Sequence, residues 1–173
     1  MERRTPLQVW FLDDVDKPCV KSIVDHSHLH GVFVCSKQAG RSKEWLAAQL
    51  FKQQPAMIWI ALPGPPSMPP PKSYTLRLRA VMDVARRQLE SGRHLVMEAT
   101  RRNRCWTHVS TEEFVRPRAQ SGQLRIVDMK VKDAAQHRIV SSSGLGVPPL
   151  RVESLDAAAL VLVGAEQGQG RAL

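Results

Sequence analysis

The sequence predicts an α/β domain, a Rossmann-like and mostly parallel sheet with helices on both faces. Three observations predict it. Two short apolar runs, Met57–Leu62 and His94–Met97, have the length and composition of buried strands. The segment between them holds an amphipathic helix long enough for a parallel crossover. Further β-prone runs at Leu7–Leu12 and Leu124–Met129 are separated from this pair by helical segments, the alternation of an open α/β sheet. At 173 residues the chain can bury one substantial core. Residues 1–140 are read as that domain, and 141–173 as a linker with a weakly patterned C-terminal segment.

Leu7–Leu12 (LQVWFL) opens directly into Asp13, Asp14 and Asp16, a first strand ending in an acidic loop. Val32–Val34 follows Gly31 as a short second strand. Ser42 is a suitable cap for a helix running to about Gln54, with Glu44 in its first turn and Pro55 as its stop. Met57–Leu62 is the third strand. Pro63–Pro71 carries six prolines in nine residues, so it is a stiff extended loop.

Leu76–Glu90 is the clearest helix. At 100° per residue, Leu78, Val81, Val84, Ala85 and Leu89 share one apolar arc. Arg79, Asp83, Arg86, Arg87 and Glu90 fall opposite, and Asp83 and Arg87 are spaced to pair. Gln88 breaks the pattern by facing inward, either as a tie to nearby backbone or as part of a site. Ser91-Gly92 ends the helix. His94–Met97 is the next strand, ending at Glu98. A helix covers part of Arg101–Val115, with Ser110-Thr111-Glu112-Glu113 as a capping box, and Leu124–Met129 is a further strand. Ser141–Pro149 reads as loop, Leu155–Val163 as an apolar helix or strand, and Gln167–Leu173 as a tail.

The charge points to the class of partner. The net charge is +9, which favours a polyanion such as DNA or RNA. The alternative is a solvated basic surface with no specific partner. Residues 77–118 hold ten arginines, no lysine and five acids. Arg86, Arg87, Arg93, Arg101, Arg102 and Arg104 form the expected nucleic-acid-binding set, because guanidinium groups bind phosphate in a bidentate fork. The cysteines, Cys19, Cys35 and Cys105, lack any paired spacing, as expected of free thiols in an intracellular, cytoplasmic or nuclear protein. No run is long and apolar enough for a membrane span.

Few residues are placed for chemistry. Ligands in open α/β sheets bind just past the carboxyl ends of the strands. Pro63–Pro71 and Glu98 occupy that position. Glu98 is the candidate catalytic residue, able to hydrogen-bond a base edge or donate a proton; the bland alternative is a salt-bridged surface acid. Asp13, Asp14 and Asp16 could hold the ribose hydroxyls of a cofactor or a metal, Asp13 and Asp14 being the cofactor-binding pair; the bland alternative is a solvated acidic loop. His26, His28 and His30 alternate and could share one strand face, but no second ligand cluster accompanies them, and no metal is expected. Gly144-Leu-Gly146 and Gly168-Gln-Gly170 follow no strand that opens a helix, so neither is a dinucleotide fingerprint.

These pieces, taken together, resemble a family. Ile58-Trp59-Ile60-Ala61-Leu62-Pro63, then Gln88-Leu-Glu-Ser-Gly92-Arg93, then Glu98 and Trp106 are spaced like the Rossmann-type methyltransferase-like domains of protist (dinoflagellate-type) retroelement polyproteins. Those domains are distantly similar to cytosine-C5 DNA methyltransferases. The resemblance spans about residues 45–130. It implies a site framed by Pro63, Pro65, Ser67, Gln88 and Trp106, a base-holding role for Glu98, and S-adenosylmethionine as the cofactor of an active enzyme. The family's loop carries a nucleophilic cysteine where this chain has Pro65, which has no nucleophile. The first strand leads into Asp13-Asp14-Val15-Asp16 with no glycine before Gly31. The expectation is therefore a degenerate domain with no cofactor. An active transferase using Glu98 and a non-enzymatic basic module are the two alternatives.

Overall fold

A computed structural model of the chain describes residues 7–13, 32–38, 42–131, 136–142 and 151–152. Among them the order is β1 (Leu7–Asp13), β2 (Val32–Gln38), α1 (Lys43–Gln53), β3 (Met57–Ala61), α2 (Lys72–Glu90), β4 (His94–Thr100), a 3-10 turn (Arg104–Thr107), α3 (Val109–Gln120), β5 (Leu124–Val131), β6 (Gln136–Ser142) and β7 (Arg151–Val152). The strands form one sheet in the order β2-β1-β3-β4-β6-β5-β7. β1 pairs in parallel with β2 and β3, β3 with β4, and β5 with β7. β6 runs antiparallel to both β4 and β5. The fold is thus α/β with a mostly parallel, Rossmann-like sheet, as the sequence predicts. His26, His28, His30, Asp14, Asp16, both glycine pairs, Leu155–Val163 and the tail lie outside the described residues.

Alternation along the strands, combined with the register, sorts side chains onto two faces. One face carries Trp10, Leu12, Ile58, Ile60, Leu95, Met97, Ala99 and Val140, which join the buried faces of α1, α2 and α3 in one apolar core. The other face carries Val9, Met57, Trp59, Val96, Ile139 and Met129, and these are buried too. Strands buried on both faces read as continuous apolar runs, which is why β3 is MIWIA.

Local chemistry sets the helix ends. Ser42 caps α1, its Oγ accepting from the Trp45 N–H at 3.2 Å. Gln54 closes that helix in the left-handed region, φ 44°, directly before Pro55. α2 begins at Lys72, four residues before the predicted start, because Pro71 already holds the extended geometry of a cap. Its predicted apolar arc is buried as a unit. Asp83 does not pair with Arg87; it accepts from Arg86 at 2.8 Å and from Lys43 of α1. The hydrogen bond from Lys43 is the largest cause that lowers its pKa.

Two more expectations are corrected. The capping box at Ser110 is displaced: His108 caps α3, its Nδ1 accepting from the Ser110 N–H at 3.2 Å. Ser141 and Ser142, assigned by sequence to a linker, end β6, where they pair with Val96, Arg125 and Leu124. The Ser142 hydroxyl also accepts from the Leu95 N–H at 3.2 Å.

Candidate functional site at the carboxyl ends of β3 and β4

β3 and β4 are adjacent and parallel, with Ala61, the last residue of β3, opposite Glu98. Pairing runs one bond further, from the Leu62 N–H to the Glu98 carbonyl at 2.8 Å. The chain then leaves the sheet as the proline-rich loop. Glu98 therefore stands where that loop departs, although β4 does not end there. It continues to Thr100 because β6 pairs along its far side, Glu98 opposite Ile139 and Thr100 opposite His137.

That pairing supplies the partner of Glu98. Its Oε2 lies 3.1 Å from His137 Nδ1, and both side chains are nearly buried, 10% and 14% exposed. Arg101, three residues after Glu98, turns instead to another acid. Arg101 Nε contacts Asp128 at 3.1 Å, and Arg101 Nη1 donates to Gln136 Oε1 at 3.0 Å. Arg138 donates twice to Asp128, Nε at 2.8 Å and Nη2 at 3.0 Å. These bonds, Arg138 first, hold the Asp128 carboxyl below its ordinary pKa and raise that of Arg138. His137 was not foreseen. QHRIVSS has two apolar residues, and nothing local marks it as a strand.

The loop is pinned by its own backbone. The buried Tyr74 hydroxyl donates to the Pro63 carbonyl at 3.1 Å. Desolvation is the main cause pushing its pKa from 10.0 up to about 12. Gly64 packs on Asn103; a Cβ there would lie 3.3 Å from the Asn103 amide. Asn103 in turn accepts from the Cys105 N–H at 2.9 Å, starting the 3-10 turn. So the turn after β4 meets the loop after β3. Ser67, the loop's single hydroxyl, is exposed and bonds to the Pro69 carbonyl at 3.2 Å. Pro65 is half-buried. Cys105 is a fully buried free thiol. Burial first, and then the Glu98 charge, push its pKa from 9.0 up to about 12, which keeps it protonated and unreactive.

The other two expected frame residues, Gln88 and Trp106, serve the backbone and the core. Gln88 is fully buried at the amino end of the same two strands, the opposite edge of the sheet. Its Nε2 donates to the carbonyls of Pro55 (2.9 Å), His94 (3.1 Å) and Ala56 (3.4 Å). This is the backbone tie, and it removes Gln88 from the site. Trp106 is buried in the core, its Nε1 donating to the Thr100 carbonyl at 3.0 Å. The six arginines also divide. Arg93 immediately precedes β4 and Arg101 immediately follows it, a separation on the order of 20 Å for seven extended residues. Arg86 and Arg87, in the last turns of α2, lie toward the Arg93 end, while Arg102 and Arg104 follow Arg101. Asp13 is the last residue of β1.

Among the described residues no group of three or more His, Cys, Asp or Glu could hold a metal, and no helix is long and apolar enough to cross a membrane. No family model matches the chain, and no curated protein matches it. Among solved structures it is similar to the Dnmt2 methyltransferase of S. pombe, with a TM-score of 0.44 and 10% identity, over 79% of this chain and 49% of that one. The chain thus spans about half the length of that structure.

Proposed function

We propose that this chain is a methyltransferase-like domain of retroelement type that has lost methyl transfer and binds nucleic acid through Arg101, Arg102 and Arg104. One observation carries the reading. The loop that leaves β3 opposite Glu98 holds no thiol, and its only hydroxyl is bonded to its own backbone. Covalent attack on a base needs a nucleophile at that point. The group that remains is a carboxylate–imidazole pair, suited to holding a base edge rather than attacking it. The three arginines follow directly on β4, and all are exposed. Exposed guanidinium groups in one short run suit contact with a phosphate backbone, and Arg101 offers its own from the sheet face opposite Glu98, beside Asp128. The retroelement ancestry rests on the spacing from Pro63 to Gln88, Glu98 and Trp106.

The test is binding of a labelled oligonucleotide, single- and double-stranded, across a salt series. Replacing Arg101, Arg102 and Arg104 by Ala should weaken binding and flatten the salt slope, by about one unit for each phosphate that an arginine no longer neutralises. Glu98→Gln should leave binding in place. No binding at low salt defeats the nucleic-acid reading. Calorimetry with S-adenosylmethionine should show no heat; binding that an Asp13/Asp14 double substitution abolishes defeats the loss of methyl transfer. The Glu98–His137 contact favours a second reading, an active nucleic-acid- or nucleotide-modifying transferase in which this pair moves a proton. Methyl incorporation that Glu98→Gln removes would select it.

A further inference from the structure

A cleft opens on the opposite face of the sheet from Glu98. It lies between α3 and strands β5 and β6, has a volume of about 280 Å³, and is lined by Trp106, Thr111, Val115, Ile126, Arg138 and Val140 among others. That size is at the low end for a small-molecule site and matches a single ring. Its inner walls continue the core, since Trp106, Val115 and Val140 are all buried. At its mouth Ile126 is 47% exposed, apolar surface left without cover.

The polar groups at this cleft are few and fixed. Arg138 is locked by its two bonds to Asp128, and Arg101 shares the same carboxylate. Two guanidinium groups on one carboxylate leave a net positive charge, and the fork of Arg138 keeps donors that Asp128 does not use. Arg116 and Glu112 at the rim pair with each other at 3.4 Å and cancel. Beneath the wall the hydroxyl of Thr111 is buried with no hydrogen-bond partner among the described residues.

We propose that this cleft binds a small planar ring carrying an anionic group. The ring lies against Trp106, Val115 and Ile126, and the anion meets Arg138. The site meets the nucleic-acid reading only at Arg101, which shares the Asp128 carboxylate with Arg138. It lies on the other sheet face, uses none of Glu98, His137 or the proline-rich loop, and is tested with small molecules alone.

The probes are benzoate, phenyl phosphate and a 5′-mononucleotide, with benzamide as the neutral analogue. Binding is followed by two-dimensional NMR of the labelled protein. At least one anion should shift resonances clustered at Trp106, Thr111, Val115 and Ile126, and bind more tightly than benzamide. The tightest of the three identifies a carboxylate or a phosphate ligand. Arg138→Gln, which removes the charge, should weaken binding of the anions about ten-fold, the worth of one charged hydrogen bond, and leave that of benzamide unchanged. Ala119→Trp should fill the cleft and abolish binding while the dispersed spectrum of a folded protein persists. Equal affinity for benzamide, no clustered shifts, or binding indifferent to both substitutions would overturn the assignment.

Discussion

The two ends of the β3–β4 pair put buried polar side chains to opposite uses. At the amino end Gln88 spends its amide on main-chain carbonyls, chiefly those of Pro55 and His94. Those carbonyls belong to the chain entering β3 and the first residue of β4, so the bonds fix where α2 returns to the sheet. At the carboxyl end the Glu98 side chain meets another side chain, the imidazole of His137, a group able to take up or release a proton. A buried amide whose nitrogen is spent on backbone carbonyls is architecture. One matched to a titratable partner at the ligand-binding edge of a parallel sheet is a candidate for chemistry. Spacing along the sequence put both groups in one frame; the strand direction separates them.

The largest expected effect tests the amino end. Gln88→Ala removes a side chain with no solvent exposure and leaves two buried carbonyls without their donor. The loss should be about 3 kcal/mol in urea unfolding. The oligonucleotide affinity of the fraction still folded should be unchanged. A loss under about 1 kcal/mol, or a fall in affinity out of proportion to unfolding, would return Gln88 to the site.

The next effect belongs to the carboxyl end and appears at alkaline pH. Cys105 and Tyr74 are both pushed up to about 12, from 9.0 and 10.0. Above pH 9 the unfolded chain releases protons that the folded chain retains, so unfolding becomes easier as pH rises. Stability from these groups is complete below pH 9 and is lost toward pH 12, by at most about 1.4 kcal/mol per pH unit for each group. Cys105→Ala should flatten the limb that starts near 9 and leave the one that starts near 10. Glu98→Gln should soften the first limb only partly, since burial outweighs the Glu98 charge as its cause. Urea midpoints from pH 8 to 11 would reveal either result. A Cys105→Ala profile that overlays the parent would contradict the account.

Much of the fold was legible because its signals are local. The runs that became β3, the core of β4 and the apolar arc of α2 are continuous or periodic in the sequence. Glu98 stood out as an acid directly after such a run. What was hidden depends on distant pairing. β4 extends to Thr100 only because β6 lies beside it, and β6 contains more polar than apolar residues. His137 was therefore unreadable as the partner of Glu98. The early start of α2 was hidden because Lys72, Ser73 and Thr75 carry no apolar period. The one clue was a helix-compatible proline at Pro71, with Tyr74 just behind it as an anchor. The arginine cluster looked contiguous because counting along a chain ignores that seven extended residues of β4 separate its halves.

The smallest expected effect concerns the contact between the loop and the turn that follow the two strands. Asn103 holds both, capping the Cys105 N–H and packing on Gly64. Asn103→Ala removes the cap and should cost about 1 kcal/mol. Gly64→Ala places a methyl group 3.3 Å from the Asn103 amide, tight but against a side chain able to shift, so its own cost should stay under about 0.5 kcal/mol. The pair is most informative in combination. If the loop leans on Asn103, the Gly64→Ala penalty should vanish when Asn103 is already alanine, because the group it would crowd is gone. The double substitution would then be no less stable than Asn103→Ala alone. Strict additivity in the double-mutant cycle would mean that the loop after β3 is held by the Tyr74 hydroxyl and the sheet alone. The carboxyl-end site would then be framed from one side only.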